Sequence, residues 1–572
     1  MKKESRNKRQ PQQRLLISIL TSAIILLAGC GAARDNYEIM DKSSQFDYGD
    51  TAIVEEYAAA EPAAETEEKI ETQESSEMGE EGYLDSIYQY DYDDSNIPEN
   101  TEEYEKAEEP GFTSVKKNPL STFSADVDTA SYSNFRRMVK SGYQMEDIPE
   151  GAVRIEEMLN YFTYQYKAPK KSEPFAVTTE IAPCPWNEEN ELLMIGLNTE
   201  AIDYEQMPAS NLVFLLDVSG SMYDDDKLPL LQESFALLAE NLTEKDRISI
   251  VTYAGSDQIV LKGVKGNQTR KIIKALKSLS AGGSTYGSKG IVTAYKLAEQ
   301  YYIEGGNNRI ILATDGDLNV GLTTSDQLEE LISEKRESGV YLSVLGFGVG
   351  NIKDNKMEIL ADKGNGNYAY IDSLKEADKV LVKEMGATLL TICKDVKFQV
   401  EFNPAVVADY RLIGYDNRVM DNRDFADDTK DAGEIGAGHS VTALYEITLT
   451  EPLSYREQAR KDGITLKYQD DITYQDSNAL TQEWLTLSVR YKKPAEDTSS
   501  LLEYPVDFTS YQAEPSADFI FAGAVAECGL LVSHSEYPEE ASMKAVKERL
   551  KKLHLEDEYR EEFYELVSRL VD

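Results

Sequence analysis

Residues 212–221 read LVFLLDVSGS, and this stretch decides the fold. Its first five residues are apolar in succession, so a strand built from them must be covered on both faces. Its polar end, Asp217-Val218-Ser219-Gly220-Ser221, then lies in the turn where that strand finishes. A second run of this kind, RIILATDG at 309–316, also ends in a turn that contains an aspartate. Both runs are typical of buried strands in a parallel sheet that has helices on its two faces.

The surrounding residues 208–391 alternate short apolar runs with amphipathic segments. This alternation predicts an α/β domain with an open, mostly parallel, doubly wound sheet. The predicted strands are Leu212–Val218, Arg247–Tyr253, Ile310–Thr314, Tyr341–Gly346 and Tyr368–Ile371. The predicted helices are Lys227–Leu242, Thr269–Leu279, Gly290–Tyr302, Ser325–Glu337 and Leu374–Thr391.

Polar turns follow the two most apolar strands of this predicted sheet. Ligands of open α/β sheets collect just beyond the carboxyl ends of the strands, so these turns should converge there with the loop Gly282-Gly283-Ser284-Thr285. Their side chains offer only oxygen donors, which is the chemistry of a hard divalent cation. Mg²⁺ is favoured because it accepts few carboxylates and keeps waters, with Mn²⁺ or Ca²⁺ as alternatives. Taken singly, each turn is also an ordinary helix cap or loop.

The motifs DVSGS, GGST and TDG, in this order, resemble the metal-ion-dependent adhesion site of the von Willebrand factor A (vWA) domain. The resemblance implies a Rossmann-like fold in which Ser219, Ser221 and Thr285 offer hydroxyls to the metal. It also implies that Asp217 and Asp315 lie close to the metal, largely through water. In the family, an acidic side chain of a partner protein fills the open coordination position. The implied function is therefore metal-bridged adhesion.

Asp224 and Asp225 follow DVSGS at the spacing at which integrin β subunits hold a second, regulatory cation. By this likeness the pair would bind Ca²⁺. Acidic residues ahead of a helix also complement the helix dipole, and this alternative stays open.

The charge balance excludes one class of partner. The chain of 572 residues has 59 Lys and Arg against 103 Asp and Glu, a formal net charge of -44. Such a chain repels phosphate backbones, so no nucleic acid partner is expected. Residues 31–110 hold 26 of the acidic side chains and four basic ones, which predicts a disordered acidic tether. Three histidines and four cysteines, far apart in sequence, provide no zinc-ligand spacing.

Residues 1–30 follow the plan of a signal peptide, with a basic start and an apolar core too short to span a bilayer comfortably. The core ends in Leu27-Ala28-Gly29-Cys30, which resembles the bacterial lipobox. The resemblance implies cleavage before Cys30, lipidation of its thiol, and a chain anchored to the cell membrane on the extracytoplasmic side. An N-terminal membrane helix is the alternative. The other cysteines, Cys184, Cys393 and Cys528, are predicted to be packed thiols, and the sequence leaves their pairing undecided.

Two flanking regions complete the predicted organisation, an N-terminal α+β region at 111–205 and a C-terminal region at 392–572 that is β-rich and ends in helices. Period-two alternation predicts the strands of the second region. Both regions resemble the flanks found in a family of bacterial vWA-domain lipoproteins. Predicted elements are helices Tyr132–Val139 and Val153–Phe162, strands Val396–Phe402, Ser440–Leu449 and Trp484–Tyr491, and helical segments Ala517–Ser533 and Ser542–Val571.

These observations predict a lipid-anchored, extracytoplasmic binding protein that captures an acidic group of a protein or envelope partner through a divalent cation. No enzymatic activity is expected. A metal-assisted hydrolase is one alternative, because the same cation could lower the pKa of a bound water. That reading lacks a histidine or unassigned carboxylate as base, a Gly-x-Ser-x-Gly elbow and a Walker loop. A scaffold of an envelope complex with a structural metal is the other alternative.

Overall fold

The computed structural model describes residues 100–571, except 107, 126–127, 171–172, 203–206, 255, 284–286, 317–324, 385, 387–389, 451–482, 495, 539 and 556. The predicted signal peptide with Cys30 and residues 31–99 of the predicted tether lie outside the described residues. The prediction of a tether is wrong at its end, because the backbone N–H groups of Thr101 and Glu103 donate to the carbonyls of Gly350 and Ile352, each at 2.9 Å. Within the described part, no helix combines the length and the apolar character needed to cross a bilayer.

Strands and helices alternate in the middle of the chain and cluster by type at its two ends. The strands are β1 (Thr113–Ser114), β2 (Leu120–Ser124), β3 (Phe175–Pro183), β4 (Glu191–Thr199), β5 (Ser210–Asp217), β6 (Arg247–Tyr253), β7 (Asp257–Lys265), β8 (Asn307–Thr314), β9 (Tyr341–Phe347), β10 (Tyr368–Ile371), β11 (Thr391–Phe402), β12 (Val407–Ile413), β13 (Gly433–Gly436), β14 (Ser440–Leu449), β15 (Glu483–Lys492) and β16 (Ser500–Asp507). The α-helices are α1 (Ala130–Lys140), α2 (Ile155–Asn160), α3 (Leu228–Asn241), α4 (Thr269–Leu276), α5 (Gly287–Gln300), α6 (Ser325–Arg336), α7 (Asp354–Lys363), α8 (Leu374–Asp378), α9 (Ala517–Val532), α10 (Met543–Leu550) and α11 (Glu558–Val571).

The central sheet has the strand order β10-β9-β8-β5-β6-β7 among the described residues. Its strands are parallel except for β7, which pairs with β6 in antiparallel register. The α/β class and the five predicted strands are confirmed. The sequence analysis missed β7 because this edge strand is only partly buried and lacks a continuous apolar run. It also missed α7.

Alternate residues of β5 face opposite sides of the sheet, which explains its unbroken apolar run. Leu212, Phe214 and Leu216 belong to one buried cluster, whereas Val213 and Leu215 belong to another on the opposite face. Helices cover both clusters, so every side chain of β5 leaves water. This burial fixes where the strand stops and therefore where Asp217 lies.

The two flanking regions share sheets with each other. One sheet has the order β1-β12-β14-β4-β3, and another has β13-β11-β15-β16 with β2 paired to β11. Each of these sheets thus contains strands from residues 113–199 and strands from residues 391–507. An apolar core between these sheets joins the two regions into one body.

Three details of the described residues differ from the predictions or extend them. The helix predicted at Leu374–Thr391 is wrong at its end, because a π-helical turn at Lys379–Lys383 follows α8 and β11 already begins at Thr391. The segment predicted at Ser542–Val571 is divided into α10 and α11. The cysteines of the described part, Cys184, Cys393 and Cys528, are free and buried, which confirms them as packed thiols.

Arginines of the flanks make buried ion pairs with the central domain. Arg136 lies 2.5 Å from Asp372 and 2.8 Å from Glu376, with all three side chains nearly inaccessible. Two further arginines of the flanks also pair with the central domain, Arg154 with Asp354 and Glu358, and Arg418 with Glu358 and the partly exposed Asp362. Because a buried charge is stable only when it is paired, these contacts fix how the central domain docks on its flanks.

Candidate metal centre

Asp217 closes β5 at the carboxyl edge of the sheet, where the strand order reverses between β5 and β8. The residue is completely buried. The backbone N–H of Ser219 donates to its Oδ1 at 2.9 Å, and the hydroxyl of Thr314 donates to its Oδ2 at 3.1 Å. Each carboxylate oxygen is therefore held by a different turn, and the fold brings together the ends of β5 and β8 as predicted.

The two serines of DVSGS point towards each other. Ser219 Oγ lies 3.0 Å from Ser221 Oγ. Ser219 is buried, whereas Ser221 is exposed. The hydroxyl pair therefore connects the buried carboxylate of Asp217 to solvent, which is the side from which an ion or a ligand would enter.

The glycine-rich loop docks directly on this turn. The backbone N–H of Gly220 donates to the carbonyl of Gly283 at 3.1 Å, and the N–H of Gly282 donates to the carbonyl of Val218 at 2.8 Å. Thr285, the predicted third hydroxyl, lies outside the described residues. Its role therefore stays a prediction, although the backbone two residues before it contacts the DVSGS turn.

Asp315 completes the set of buried carboxylates. Burial raises the pKa of Asp217 to about 6, with the charge of Asp315 adding to the rise while hydrogen bonds from Ser219 and Thr314 oppose it. The pKa of the Tyr253 hydroxyl is raised well above its usual value by burial, and next by the charge of Asp217. Two carboxylates thus share a poorly solvated edge, where a cation is favoured.

The sequence analysis missed Lys227, which enters the same edge. Its ammonium Nζ lies 3.1 Å from Asp315 Oδ2, and the two side chains are only 7% and 0% exposed. In the sequence Lys227 is the residue after an acidic triplet and before a helix, where a solvated lysine is common. No local signal distinguishes the buried lysine, because its partner lies on a distant strand.

The donor set fits a hard divalent cation. Asp217 and Asp315 provide carboxylates, Ser219 and Ser221 provide neutral hydroxyls, and Mg²⁺ prefers such oxygen ligands over nitrogen or sulfur. These four residues would hold the ion, and a bound ion would supply an open coordination position for an outside oxygen.

The predicted second cation site has less support in the fold. Asp224 and Asp225 are exposed in the turn before α3. Within the described ranges, no three His, Cys, Asp or Glu side chains gather as a metal-binding group. The binding of a second ion by this pair stays a prediction.

Comparisons with known families agree with this architecture. The von Willebrand factor type A domain family matches residues 211–382, so the central domain is a vWA domain. The family described as von Willebrand factor matches residues 98–194, and the one described as "Uncharacterized protein YfbK, C-terminal" matches residues 387–571. YfbK of Escherichia coli (strain K12) is 43% identical over 477 residues, covering 82% of this chain and 81% of that protein. The chain therefore belongs to the YfbK family of vWA-domain proteins.

More distant similarities cover smaller parts of the chain. Inter-alpha-trypsin inhibitor heavy chain H3 of Homo sapiens is 27% identical over 192 residues, which is 32% of this chain and 21% of that protein. A solved structure, a von Willebrand factor type A protein from Catenulispora acidiphila, has 13% identity and a TM-score of 0.37, covering 62% of this chain and 79% of that one. vWA domains generally act in protein–protein adhesion and often bind a metal at this motif.

Proposed function

We propose that this chain is a lipid-anchored, extracytoplasmic adhesion protein that captures an acidic group of a protein or cell-envelope partner through a divalent cation. The observation that carries the proposal is the buried Asp217, held between the turns after β5 and β8 and linked to solvent by Ser219 and Ser221. Membership of the vWA class supports it, because these domains generally mediate adhesion and their members are generally non-enzymatic.

The chemistry of the edge favours capture of an anion. Two carboxylates and neutral hydroxyls leave part of the coordination shell of a divalent cation open, so an outside carboxylate gains affinity by completing that shell. The exposure of Ser221 leaves room for such a ligand. Mg²⁺ is the proposed ion, with Mn²⁺ or Ca²⁺ as substitutes.

The proposed location follows from the sequence before the described residues. Cys30 would carry the lipid, and two or more acyl chains give stable membrane anchoring. The acidic residues 31–99 would then separate the folded part from the membrane by a root-mean-square distance of roughly 45 Å or more.

A cross-linking pull-down from intact cells tests the proposal. The full chain, its Asp217→Ala variant and an Asp421→Ala control are compared in buffer with Mg²⁺ or with excess chelator. Asp421 makes an exposed ion pair with Arg423 in the C-terminal region, so the control removes the same charge outside the vWA domain. We expect one partner set that is captured by the wild type and the control in Mg²⁺ and lost with chelator or with Asp217→Ala. Capture that persists in chelator and in Asp217→Ala would refute the proposal.

A further inference from the structure

Lys227 is buried at the edge where the cation is proposed to bind. Only 6% of the residue is exposed, and its ammonium pairs with Asp315 at 3.1 Å. Burial of a lysine is costly unless the ammonium is paired. The start of helix α3 alone therefore does not explain why this lysine is buried.

The backbone around Lys227 keeps its side chain in place. Its N–H donates to the carbonyl of Asp224 at 3.0 Å, and its own carbonyl accepts from Leu231 at 2.8 Å in the first turn of α3. Gly348, after β9, has a φ of +74°, and a Cβ atom there would collide with the methylenes of Lys227. A glycine with positive φ thus leaves the space through which the lysine reaches Asp315.

The ammonium changes the charge of the edge. Asp217 and Asp315 alone would balance the formal charge of a divalent cation, so an acidic ligand would gain only from the open coordination position. With Lys227 beside Asp315, the occupied edge carries one positive charge in surplus. The same ammonium repels the incoming cation, so it weakens metal binding while it strengthens anion binding.

We propose that Lys227 determines the specificity of the site, by lowering its affinity for the divalent cation and raising the affinity of the loaded site for a carboxylate. This inference rests on the proposed function, because it assumes that a cation binds at Asp217 and Asp315. It assigns to the edge a preference for anionic ligands over neutral oxygen donors.

Mn²⁺ and acetate are the probes for the test. Mn²⁺ affinity of the full chain is measured by electron paramagnetic resonance, and access of acetate to the bound ion by relaxation of the acetate methyl protons. The variants are Lys227→Met, which is close in shape, and Lys227→Gln, which keeps a hydrogen-bond donor. Lys492→Met is the matched control, because Lys492 is a buried lysine paired with Asp395 at 2.7 Å in another sheet.

We expect Mn²⁺ affinity to rise about tenfold in both Lys227 variants, since a unit charge faces a divalent one across a few Å. The acetate effect per bound ion should fall about fivefold in both, and the control should match the wild type. Thermal unfolding in chelator identifies folded variants, and Lys227→Gln decides the test if Lys227→Met does not fold.

The outcomes separate this inference from the proposed function. If the wild type binds no Mn²⁺, or binds it as tightly after Asp217→Ala, both are wrong. If the wild type binds Mn²⁺ and acetate through Asp217 but the Lys227 variants behave like the wild type, only the role of Lys227 is wrong. Weaker Mn²⁺ binding in folded Lys227 variants would also overturn it, because the ammonium would then organise the site rather than compete with the ion.

Discussion

The vWA domain buries charge at its contact with the flanks and at the carboxyl edge of its sheet, but the two regions differ in how that charge is balanced. At the flanks, Asp372 and Glu376 meet the guanidinium of Arg136, which offers several fixed donors. At the edge, Asp315 meets the ammonium of Lys227 and, among the described residues, no cation lies within ion-pair distance of Asp217. Each set has two carboxylates and one cation, but both carboxylates contact the cation in the first region, whereas only Asp315 does so in the second.

This difference separates a structural use of buried charge from a functional one. Removing one partner of a satisfied buried pair leaves an uncompensated charge and destabilises the protein. A buried carboxylate that contacts no cation is costly, so replacing it removes both the charge repulsion and the cost of burying a charge. The protein then gains stability while the site loses its ion. Variants in the two regions should therefore change stability in opposite directions.

The largest expected effect is at Arg136. Arg136→Met should lower the free energy of unfolding by about 3–5 kcal/mol, because Glu376 and Asp372 would stay buried without a cation. Equilibrium urea unfolding measures the loss. Arg423→Met is the control, since Arg423 pairs with Asp421 on the surface and its side chain is 89% exposed. Similar losses in the free energy of unfolding of Arg136→Met and Arg423→Met would contradict the structural role of the buried charges.

An intermediate effect of opposite sign is expected at Asp217. Asp217→Asn should raise the free energy of unfolding by about 2 kcal/mol at neutral pH in chelator, because the pKa of about 6 shows that the ionised form is disfavoured in the fold. The asparagine can still accept from Ser219 and donate to Thr314. Adding Mg²⁺ should raise the melting temperature of the wild type and leave that of the variant unchanged. If Asp217→Asn instead loses stability in chelator, the prediction is wrong, and the charge of Asp217 stabilises the fold.

The smallest expected effect is at Asp416, a half-buried residue in the flanks. Burial raises its pKa to about 6, followed by the charge of Glu109, and among the described residues its Oδ1 has no hydrogen-bond partner. A carboxyl whose pKa is raised by folding binds protons more tightly in the native state, so stability falls as the pH rises from about 4 to about 6. Asp416→Asn should therefore stabilise by about 1 kcal/mol at pH 7.5 and have no effect at pH 3.5. Denaturant unfolding at the two pH values checks this, and an equal effect at both would contradict it.

The sequence predicted much of the central domain because its strands carry strong local signals. The strand at 212–216 and the polar turn after it can be predicted from the local sequence alone, because burial on both faces requires every residue of the strand to be apolar. The edge strand β7 and helix α7 were not predicted, because a half-buried element has a weaker hydrophobic pattern. The turns of Asp217 and Asp315 could be placed together because carboxyl ends of parallel strands meet at one edge.

By itself, then, the sequence determined the α/β class, the order of the main strands and the oxygen ligands at their ends, since these depend on residues that are near neighbours in the chain. Only the tertiary structure decided that Lys227 reaches Asp315, that Arg136 meets Asp372 and Glu376, and that the two flanks share their sheets. The physical reason is that burial and charge pairing between residues far apart depend on how elements pack. No local pattern reveals which of many lysines and arginines leaves water to face a particular carboxylate.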